Sequence, residues 1–294
     1  MAFSARILKD SISSSGVRLT TFEVVMPRIV TAEFNTHRML SRNSASSRAI
    51  PVEKRIAAVE ADPFVPEAFG KNKGGMQATE DLDSEESERA KEAWMEACRD
   101  AVSSARKLAQ LGVHKQLANR VIEPYCWHTI ICSGTEWENY FALRCHPDAQ
   151  PEIKKASEMM QRAYEASTPT ILRADQWHLP ITDDLEELVK AGFTIDDIKR
   201  ISIGRCARVS FLTHDGKRDP VADVTLCNRL KESGHMSPFE HVARPMVGSD
   251  IESFGPSGFV GNFRGWVQVR KEIPYEDNYA LAKQHAEKLR TKTT

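Results

Sequence analysis

THRMLSRNSASSRAI, residues 36–50, holds three arginines, one histidine and four serines in fifteen positions. An arginine side chain presents a planar fork of N–H donors that suits phosphate oxygens, and short hydroxyl groups can complete the coordination of an oxyanion. Two interpretations follow from these residues alone. Arg38, Arg42 and Arg48 either bind a phosphorylated small molecule or form a solvated turn and pair with surface carboxylates.

Strand and helix patterns lie on both sides of this stretch. Residues 18–30, RLTTFEVVMPRIV, are rich in β-branched and aromatic residues and predict one or two strands that break near Pro27. Apolar residues recur every three or four positions from Ser84 to Leu111, which predicts a long, half-buried helix. Residues 151–166 predict an amphipathic helix with proline in its first turn. Shorter helices are predicted at 113–121, 135–144, 183–191, 194–201 and 219–233, with an exposed connection at 60–83 and strand-like sequence from 241 to 273.

These elements predict an α+β fold with a mixed sheet and long helices, because several helices separate the strand-like segments without regular alternation. The sequence contains neither GxGxxG nor GxxxxGK[ST]. The sequence therefore argues against a dinucleotide or P-loop site of those types.

The charge balance argues against a general nucleic-acid binder. Lysine and arginine number 40 against 41 acidic residues, so the formal net charge is -1. Proteins that hold a polyanion usually present a broad basic face. A non-catalytic nucleic-acid-binding protein, in which residues 36–50 bind the polyanion, stays open as an alternative. The N-terminus has no apolar signal region and no run of 18 apolar residues occurs, so we expect a cytoplasmic protein that does not enter a membrane.

GHMSPFEHV, residues 234–242, brings two histidines close to a glutamate. A metal site is one interpretation, but Pro238 prevents the continuous helix that presents both histidines of an HExxH motif. We expect no metal here, and we predict that Ser237 caps a helix in which Pro238 is the first residue. The six cysteines show no CxxC spacing and are expected to be reduced, mostly buried thiols.

Arg120 and Arg144 stand in largely apolar sequence between residues 119 and 153. A buried guanidinium without a partner is costly, so each is expected to have one. For Arg144 the candidates are Glu138, Asp148 or a ligand. A structural ion pair and a functional role both remain open.

Together, these three stretches resemble the flavin-dependent thymidylate synthases. The family signature reads Arg-His-Arg-x-x-Ser-x-Asn-Glu-x-Ser-x-Arg-Tyr. Six of its nine positions are matched by this sequence: His37, Arg38, Ser41, Asn43, Ser46 and Arg48. The pattern LR-x4-AQ-x-EI is matched at 143–153, and HxSPFEH at 235–241.

The order of these motifs differs from that of the family. GRCARVSF at 204–211 and HMSPFEH come last here, whereas the family places them before the arginine signature. We interpret the chain as a single circularly permuted domain, 1–294, in which 1–172 and 204–294 are the two exchanged parts and 173–203 is the join. Permutation is tolerated where the old termini lie close together and the new ends fall in exposed loops.

The resemblance implies an activity. In this family, reduced flavin carries a one-carbon unit from methylenetetrahydrofolate to C5 of dUMP and supplies the hydride that completes the methyl group of dTMP, after NADPH has reduced the flavin. No enzyme nucleophile takes part, and each active site is assembled from several subunits of a homotetramer. The alternative within this fold is hydroxymethylation, or methylation of another pyrimidine nucleotide.

The resemblance also implies site residues. Arg144 would be catalytic, contacting the pyrimidine and favouring ionisation at N3. The residues expected to contact FAD are His37, Arg38, Ser44, Ser133, Thr135, Asn139 and Ser237. Those expected to contact the nucleotide are Glu33, Ser46, Arg48, Arg120 and Arg144.

This sequence departs from the family at several of these positions. Thr36 replaces the first signature arginine, Ser44 the glutamate, Ala49 the tyrosine, and Asp148 a histidine, while Ser133 and Thr135 stand where asparagine and arginine are more common. Positions 36 and 135 therefore lack a cation and position 148 gains an anion, which would change how cofactor and folate are held.

Overall fold

The computed structural model describes residues 2–75, 77–209, 218–255 and 257–291. Its main feature is a five-stranded sheet built from β1 (Ser4–Ser13), β2 (Arg18–Pro27), β3 (Ser41–Ser44), β4 (Trp127–Gly134) and β5 (Thr170–Leu172). The order across the sheet is β3-β4-β2-β1-β5. β1 pairs with β5 in parallel, and the other neighbours are antiparallel. Four short strands form two further pairs: β6 (Ala243–Pro245), β7 (Phe259–Val260), β8 (Phe263–Arg264) and β9 (Trp266–Gln268).

Helices cover the sheet and fill the connections. They are α1 (Thr31–Asn35), α2 (Val52–Ala61), α3 (Ser84–Gln110), α4 (Lys115–Ala118), α5 (Glu138–Arg144), α6 (Pro151–Ala166), α7 (Leu185–Lys190), α8 (Ile195–Arg208), α9 (Pro220–Glu232), α10 (Gly248–Phe254), α11 (Pro274–Asp277) and α12 (Tyr279–Thr291). None of the described helices has the length and apolar character needed to cross a membrane. The α+β fold predicted from the sequence is confirmed.

Apolar side chains of β2 and β4 build the core on one face of the sheet. Phe22 and Val24 from β2 pack with Trp137 and Tyr140 near α5, and Met160 of α6 completes the layer. These side chains are essentially inaccessible to solvent. The core therefore fixes α5, and with it the position of Arg144 at its end.

The opposite face of β4 carries a second set of contacts. Side chains alternate between the two faces of a strand, so Ile131 points away from its neighbours Ile130 and Cys132. Ile131 packs with Cys206 and Val209, at the end of α8 and just beyond it. The sheet therefore lies between α5 and α6 on one side and α8 on the other.

α8 and α9 approach each other closely at Gly204. A Cβ atom at this position would lie 2.4 Å from the carbonyl oxygen of Asp223, so only glycine fits without a shift of the backbone. The Asp223 carboxylate, which is 1% exposed, accepts from Nε of Arg205 at 2.8 Å and from Nε of Arg208 at 2.6 Å. This ion-pair cluster locks the two helices together.

Most elements predicted from local patterns are found, with changed ends. The long helix is α3, the proline-initiated helix is α6, and the strand that breaks at Pro27 is β2. The helix predicted at 113–121 is shorter in the structure, where only Lys115–Ala118 is α-helical and a 3-10 turn with Pro124 follows. α8 continues to Arg208, beyond the predicted end at 201. The sequence did not predict β1, β3, β4, β5, α1, α2, α10, α11 or α12. The segment 241–273 was expected to be strand-like, but it holds the helix α10 as well as the short strands β6 to β9.

Candidate active site

Arg144 lies at the C-terminal end of α5, where its guanidinium spans the turn after α1. Nε donates to Nε2 of His37 at 2.8 Å. Nη2 donates to the carbonyl oxygen of Glu33 at 3.3 Å and to the hydroxyl of Thr36 at 3.1 Å. Nη1 makes no hydrogen bond with the described residues, so it remains able to donate to a ligand.

His37 is a neutral acceptor for this guanidinium. Its ring is 9% exposed and packs edge-on against Tyr140 at 4.9 Å. Burial, together with the charges of Arg144 and Arg42, lowers the pKa of His37 to about 4. Since arginine can only donate, Nε2 of His37 carries the lone pair and the proton resides on Nδ1. The position of Arg144 is thereby fixed without a negative charge.

The partner predicted for Arg144 was wrong in part. We expected Glu138, Asp148 or a ligand, but neither carboxylate pairs with it among the described residues. Uncharged acceptors hold the guanidinium instead. Its positive charge is therefore not cancelled locally, which suits a group that must act on a ligand.

Arg42 stabilises the signature turn from within. Nη1 donates to the carbonyl oxygen of His37 at 2.7 Å and to that of Phe34 at 3.1 Å. Among the described residues Arg42 pairs with no carboxylate, which corrects the interpretation as a surface ion pair, whereas its binding of a phosphorylated molecule stays a prediction. Arg38 and Arg48 are exposed, and their guanidinium groups have no partner among the described residues.

Glu33 lies on α1 next to Arg144, with its carbonyl oxygen accepting from Arg144 and from the Thr36 hydroxyl. Its carboxylate oxygen Oε2 is buried and has no hydrogen-bond partner in the described structure. A buried carboxylate oxygen in this state is able to accept from a ligand.

Asn43 joins the signature to the HMSPFEH stretch. From β3, its Nδ2 donates to the carbonyl oxygen of Cys206 at 2.7 Å, and its Oδ1 accepts from the Ser237 hydroxyl at 3.2 Å. Residues near opposite ends of the chain therefore meet at this strand. The prediction that Ser237 caps a helix is wrong. The short 3-10 helix spans Ser237–Glu240, and Met236 precedes it without a side-chain cap. The Ser237 hydroxyl donates to Asn43 instead.

Ser133 belongs to a buried chain of side-chain hydrogen bonds. Its hydroxyl lies 2.5 Å from that of Thr21 and 2.8 Å from Nδ1 of His241. The Thr21 hydroxyl also hydrogen-bonds Nε2 of His178 at 2.8 Å, and Nδ1 of His178 hydrogen-bonds the Ser11 hydroxyl at 2.9 Å. The chain ties the sheet to both histidine-bearing segments.

Thr135 is engaged in a similar way, since its hydroxyl accepts from the backbone N–H of Arg264 at 3.0 Å. A flavin contact from Ser133 or Thr135 would have to replace one of these internal hydrogen bonds. The predicted roles of both residues in cofactor binding stay predictions.

Three residues predicted to contact the nucleotide, Ser46, Arg48 and Arg120, lie at or near the turn after β3. Asn119 donates to the carbonyl oxygens of Ser47, at 2.7 Å, and Ile50, at 2.9 Å. The Ser47 hydroxyl donates to Glu123, which also accepts from Arg120 at 2.8 Å. Arg120 is therefore paired at the surface. The turn with Ser46 and Arg48 lies against the segment that carries Arg120.

The residues expected to hold FAD fall into two classes. Ser133 and Thr135 are buried, whereas Arg38, Asn139 and Ser237 are exposed and Ser44 is half-buried. Leu40 brings the signature turn against the start of α5, because a Cβ atom on Gly134 would lie 2.7 Å from its side chain. Exposed guanidinium and amide donors suit the phosphates and ring carbonyls of a flavin dinucleotide. The residues present therefore fit this cofactor.

Sequence reasoning missed the contribution of the C-terminal segment. The Ser41 hydroxyl donates to Oδ1 of Asn262 at 3.1 Å and accepts from Nε2 of Gln268 at 3.2 Å. These contacts link residues more than 200 positions apart. No local pattern could have found them.

In the described part of the chain, no three His, Cys, Asp or Glu side chains gather in a way that could hold a metal ion. Within HMSPFEH, His235 is exposed and contacts the Ser233 hydroxyl, whereas His241 is buried.

Four buried histidines predict acid sensitivity. Burial lowers the pKa of His37 to about 4 and of His128 and His241 to about 3, and it also lowers that of His178. Between pH 6.5 and 4 the unfolded chain binds protons that the folded chain excludes. The free energy of unfolding should therefore fall as pH falls, by about 1.4 kcal/mol per pH unit for each neutral histidine.

Urea titrations at several pH values between 7 and 4 would measure this slope. His241→Gln should flatten it, whereas substitution of the exposed His235 by glutamine should not. A free energy of unfolding that stays constant down to pH 5 would contradict the prediction.

The comparison with family models agrees with the motifs. A family model described as thymidylate synthase complementing protein matches residues 18–170, just over half of the chain. Among solved structures, the UMP/dUMP methylase PolB from Streptomyces cacaoi bound with 5-Br UMP has 17% identity and a TM-score of 0.47, covering 55% of this chain and 88% of that one. The same protein bound with 5-Br dUMP gives 15% identity and a TM-score of 0.46, covering 55% and 90%.

A search of curated proteins finds no match. The family match spans β2, the signature, the long helix α3 and the Arg144 motif, which are the elements that build the site described above. The chain belongs to the thymidylate synthase complementing protein family.

Proposed function

We propose that this protein is a flavin-dependent transferase that moves a one-carbon unit from methylenetetrahydrofolate to C5 of dUMP and gives dTMP. The observation that carries the proposal is the state of Arg144 in a member of this family. Its guanidinium is fixed by His37 and by the turn after α1, and Nη1 remains for a ligand. A fixed cation of this kind stabilises charge that develops on a bound ring.

Arg144 acts on the pyrimidine electrostatically. Donation from Nη1 to a ring carbonyl favours negative charge at N3 and across the conjugated ring, which makes C5 more electron-rich. Pre-positioning matters because no reorganisation is then needed during the reaction. His37 serves as the acceptor that holds Nε in place.

The cysteines favour a route without a thiolate nucleophile. Burial raises the pKa of all six thiols, so at neutral pH they are protonated and poorly reactive. A transfer that does not pass through a covalent enzyme–nucleotide bond agrees with this state.

The reaction balances when NADPH is the reductant. The C5–H of dUMP becomes C5–CH3, methylenetetrahydrofolate becomes tetrahydrofolate, and NADPH with one proton supplies the two hydrogens and two electrons. FAD, when bound, supplies the hydride relay between NADPH and the nucleotide. Arg38 and Asn139 are the exposed donors that would hold it, and Ser237, whose hydroxyl donates to Asn43, would serve as an acceptor.

Ser46, Arg48, Arg120 and Glu33 would hold the nucleotide. Since Arg38 and Arg48 are exposed within one chain, we propose that neighbouring copies complete the site in a homotetramer. This assembly follows from the family and is part of the proposal.

A second candidate is transfer to another pyrimidine nucleotide, or transfer that leaves a hydroxymethyl group. Thr36 favours it, because this residue replaces the first signature arginine and its hydroxyl accepts directly from Arg144 at 3.1 Å. A change in contact with the catalytic guanidinium can alter which ring is accepted.

Mass spectrometry of the nucleotide product tests the function. Purified protein is supplied with FAD, NADPH and methylenetetrahydrofolate, and dUMP, UMP and dCMP are offered separately. A gain of CH2 on dUMP supports the first candidate, whereas a gain of CH2O, or product from another nucleotide, supports the second. Unchanged nucleotides, absent flavin and a steep salt dependence of DNA or RNA binding would refute both and favour nucleic-acid binding.

A further inference from the structure

Three arginines surround a single carboxylate beside the predicted nucleotide site. Nη2 of Arg28 lies 3.0 Å from Oε1 of Glu123, and Nη1 of Arg120 donates to the same oxygen at 2.8 Å. Arg55, on α2, adds a third positive charge that acts on Arg28 and Glu123. Arg28 and Arg55 belong to none of the motifs found in the sequence.

The cluster carries more positive than negative charge. Glu123 is its one carboxylate among the described contacts, and although burial alone would raise its pKa, donation by Ser47 and the arginine charges hold that pKa below its ordinary value. His128 adds no charge: its pKa falls to about 3 through burial and through the charges of Arg28 and Arg55. Three guanidinium groups therefore face one carboxylate.

Arg55 shows that this charge is not fully compensated. Its side chain is 4% exposed, yet Nε and Nη2 have no hydrogen-bond partner in the described structure. Burial lowers the pKa of Arg55 and the charge of Arg28 lowers it too, while Cys126 and the charge of Glu123 act in the opposite direction without reversing the shift. A buried guanidinium in this state is costly unless an anion is nearby.

A cavity of about 430 Å³ opens directly on the cluster. Arg28, Arg120 and Glu123 line it together with Thr31 and Asn35 of α1. The Thr31 hydroxyl oxygen is buried and has no hydrogen-bond partner in the described structure. Guanidinium and amide donors thus face one space.

Two neighbours fix the orientation of the Arg28 guanidinium. One terminal nitrogen forms an ion pair with Glu123 at 3.0 Å, and Nδ1 of His128 accepts from the other at 3.0 Å. Each terminal nitrogen of arginine carries two N–H groups, so one on each remains for a ligand. Two parallel N–H donors match two oxygens of a phosphate group.

We propose that Arg28 binds the phosphate monoester of the nucleotide substrate, beside Arg120 and in front of Arg55. This inference rests on the function proposed above and extends it, because the excess charge of the cluster is what a phosphate dianion would neutralise.

The position of α1 agrees with a nucleotide lying along it. Thr31 faces the cavity at one end of the helix, and Thr36 contacts Arg144 just beyond the other end. Five helical steps between them cover about 7.5 Å. A nucleoside monophosphate with its ring at Arg144 and its phosphate at Arg28 has dimensions of this order.

Calorimetric titration of the full-length protein tests the proposal, with dUMP, deoxyuridine, inorganic phosphate and FAD as separate probes. Arg28→Gln should weaken dUMP binding by about 10- to 100-fold and abolish phosphate binding, while leaving deoxyuridine and FAD binding unchanged. Arg28→Lys, which keeps the charge and loses the planar fork, should lose an intermediate amount. Arg106→Gln, a surface arginine that pairs with Glu60 at 2.6 Å, is the matched control.

Several results would overturn the proposal. Unchanged dUMP affinity in Arg28→Gln, an equal loss for dUMP and deoxyuridine, or a loss confined to FAD would each do so. If Arg28→Gln does not fold, wild-type dUMP affinity in Arg28→Lys would do the same.

Failure of the proposed function is separable from failure of this subsite. A wild-type protein that binds dUMP and phosphate but makes no product refutes the function and leaves the subsite. A wild-type protein that makes product, with unchanged kcat/KM for dUMP in Arg28→Gln, refutes the subsite and leaves the function.

Discussion

Arg144→Ala should reduce turnover of dUMP by at least about a hundredfold while FAD remains bound, because removal of one pre-positioned donor at a reacting centre typically costs this much. The lost group is the fixed cation at the pyrimidine, and its hydrogen bonds run to His37, Glu33 and Thr36. Steady-state kinetics with the product assay measure kcat and KM, and flavin absorbance measures retention of the cofactor.

Two further variants sharpen this result. Arg144→Lys keeps a positive charge but loses the fork that contacts His37 and the α1 turn, so its activity should fall between wild type and Arg144→Ala. Arg162→Ala, an exposed arginine on α6, should retain wild-type activity. Wild-type kcat in Arg144→Ala would show that its assignment as the catalytic residue is wrong.

Trp137→Ala should lower the free energy of unfolding by about 3–5 kcal/mol, the usual cost of removing a large buried aromatic side chain. The indole is 1% exposed, packs edge-on against Phe22 at 5.0 Å and stacks on Phe141 at 5.7 Å. Its Nε1 also donates to the carbonyl oxygen of Gly134 at 2.9 Å. The cavity left behind would lie at the base of α5, the helix that positions Arg144.

Urea unfolding at neutral pH would measure this loss. Tyr279→Ala removes a ring that is 85% exposed and should change stability by no more than about 0.5 kcal/mol. Trp137→Phe keeps part of the packing and should cost less than alanine. A loss below about 1 kcal/mol for Trp137→Ala would contradict the assignment of this residue to the core.

Local patterns predicted the elements whose signals are local. α3 and α6 follow from apolar spacing and from proline in a first turn, and β2 ends at Pro27 as its sequence indicates. β4 was missed because it is buried on both faces, from His128 to Gly134. Its sequence therefore does not alternate between apolar and polar residues. β1 was missed because polar residues occupy much of a partly exposed strand.

In the candidate site, too, features with a local sequence signal were predicted and features without one were missed. Motif spacing identified Arg144, but its partner His37 lies 107 positions away in the chain. Ser237 was expected to cap a helix, and its hydroxyl instead bonds Asn43, 194 positions away. The sequence supplied the residue types, and the tertiary contacts that decide their partners had no local signal.

The structure shows where the two motifs that come late in the chain, GRCARVSF and HMSPFEH, lie relative to the arginine signature. Asn43 contacts both Cys206 and Ser237, so the late segments pack on the signature strand despite their place in the chain. Ser210 and Phe211, at the end of GRCARVSF, lie outside the described residues. The permuted single domain and its join at 173–203 stay a prediction.

The central claim is that guanidinium and hydroxyl groups from distant parts of the chain form one cleft in which a flavin meets a pyrimidine nucleotide. The absorbance spectrum of purified protein, recorded before and after addition of dUMP, tests it most directly. We predict a bound-flavin spectrum that dUMP perturbs in wild type and perturbs far less in Arg144→Ala. A colourless protein that takes up no added FAD, or a flavin spectrum that dUMP leaves unchanged, would contradict the account.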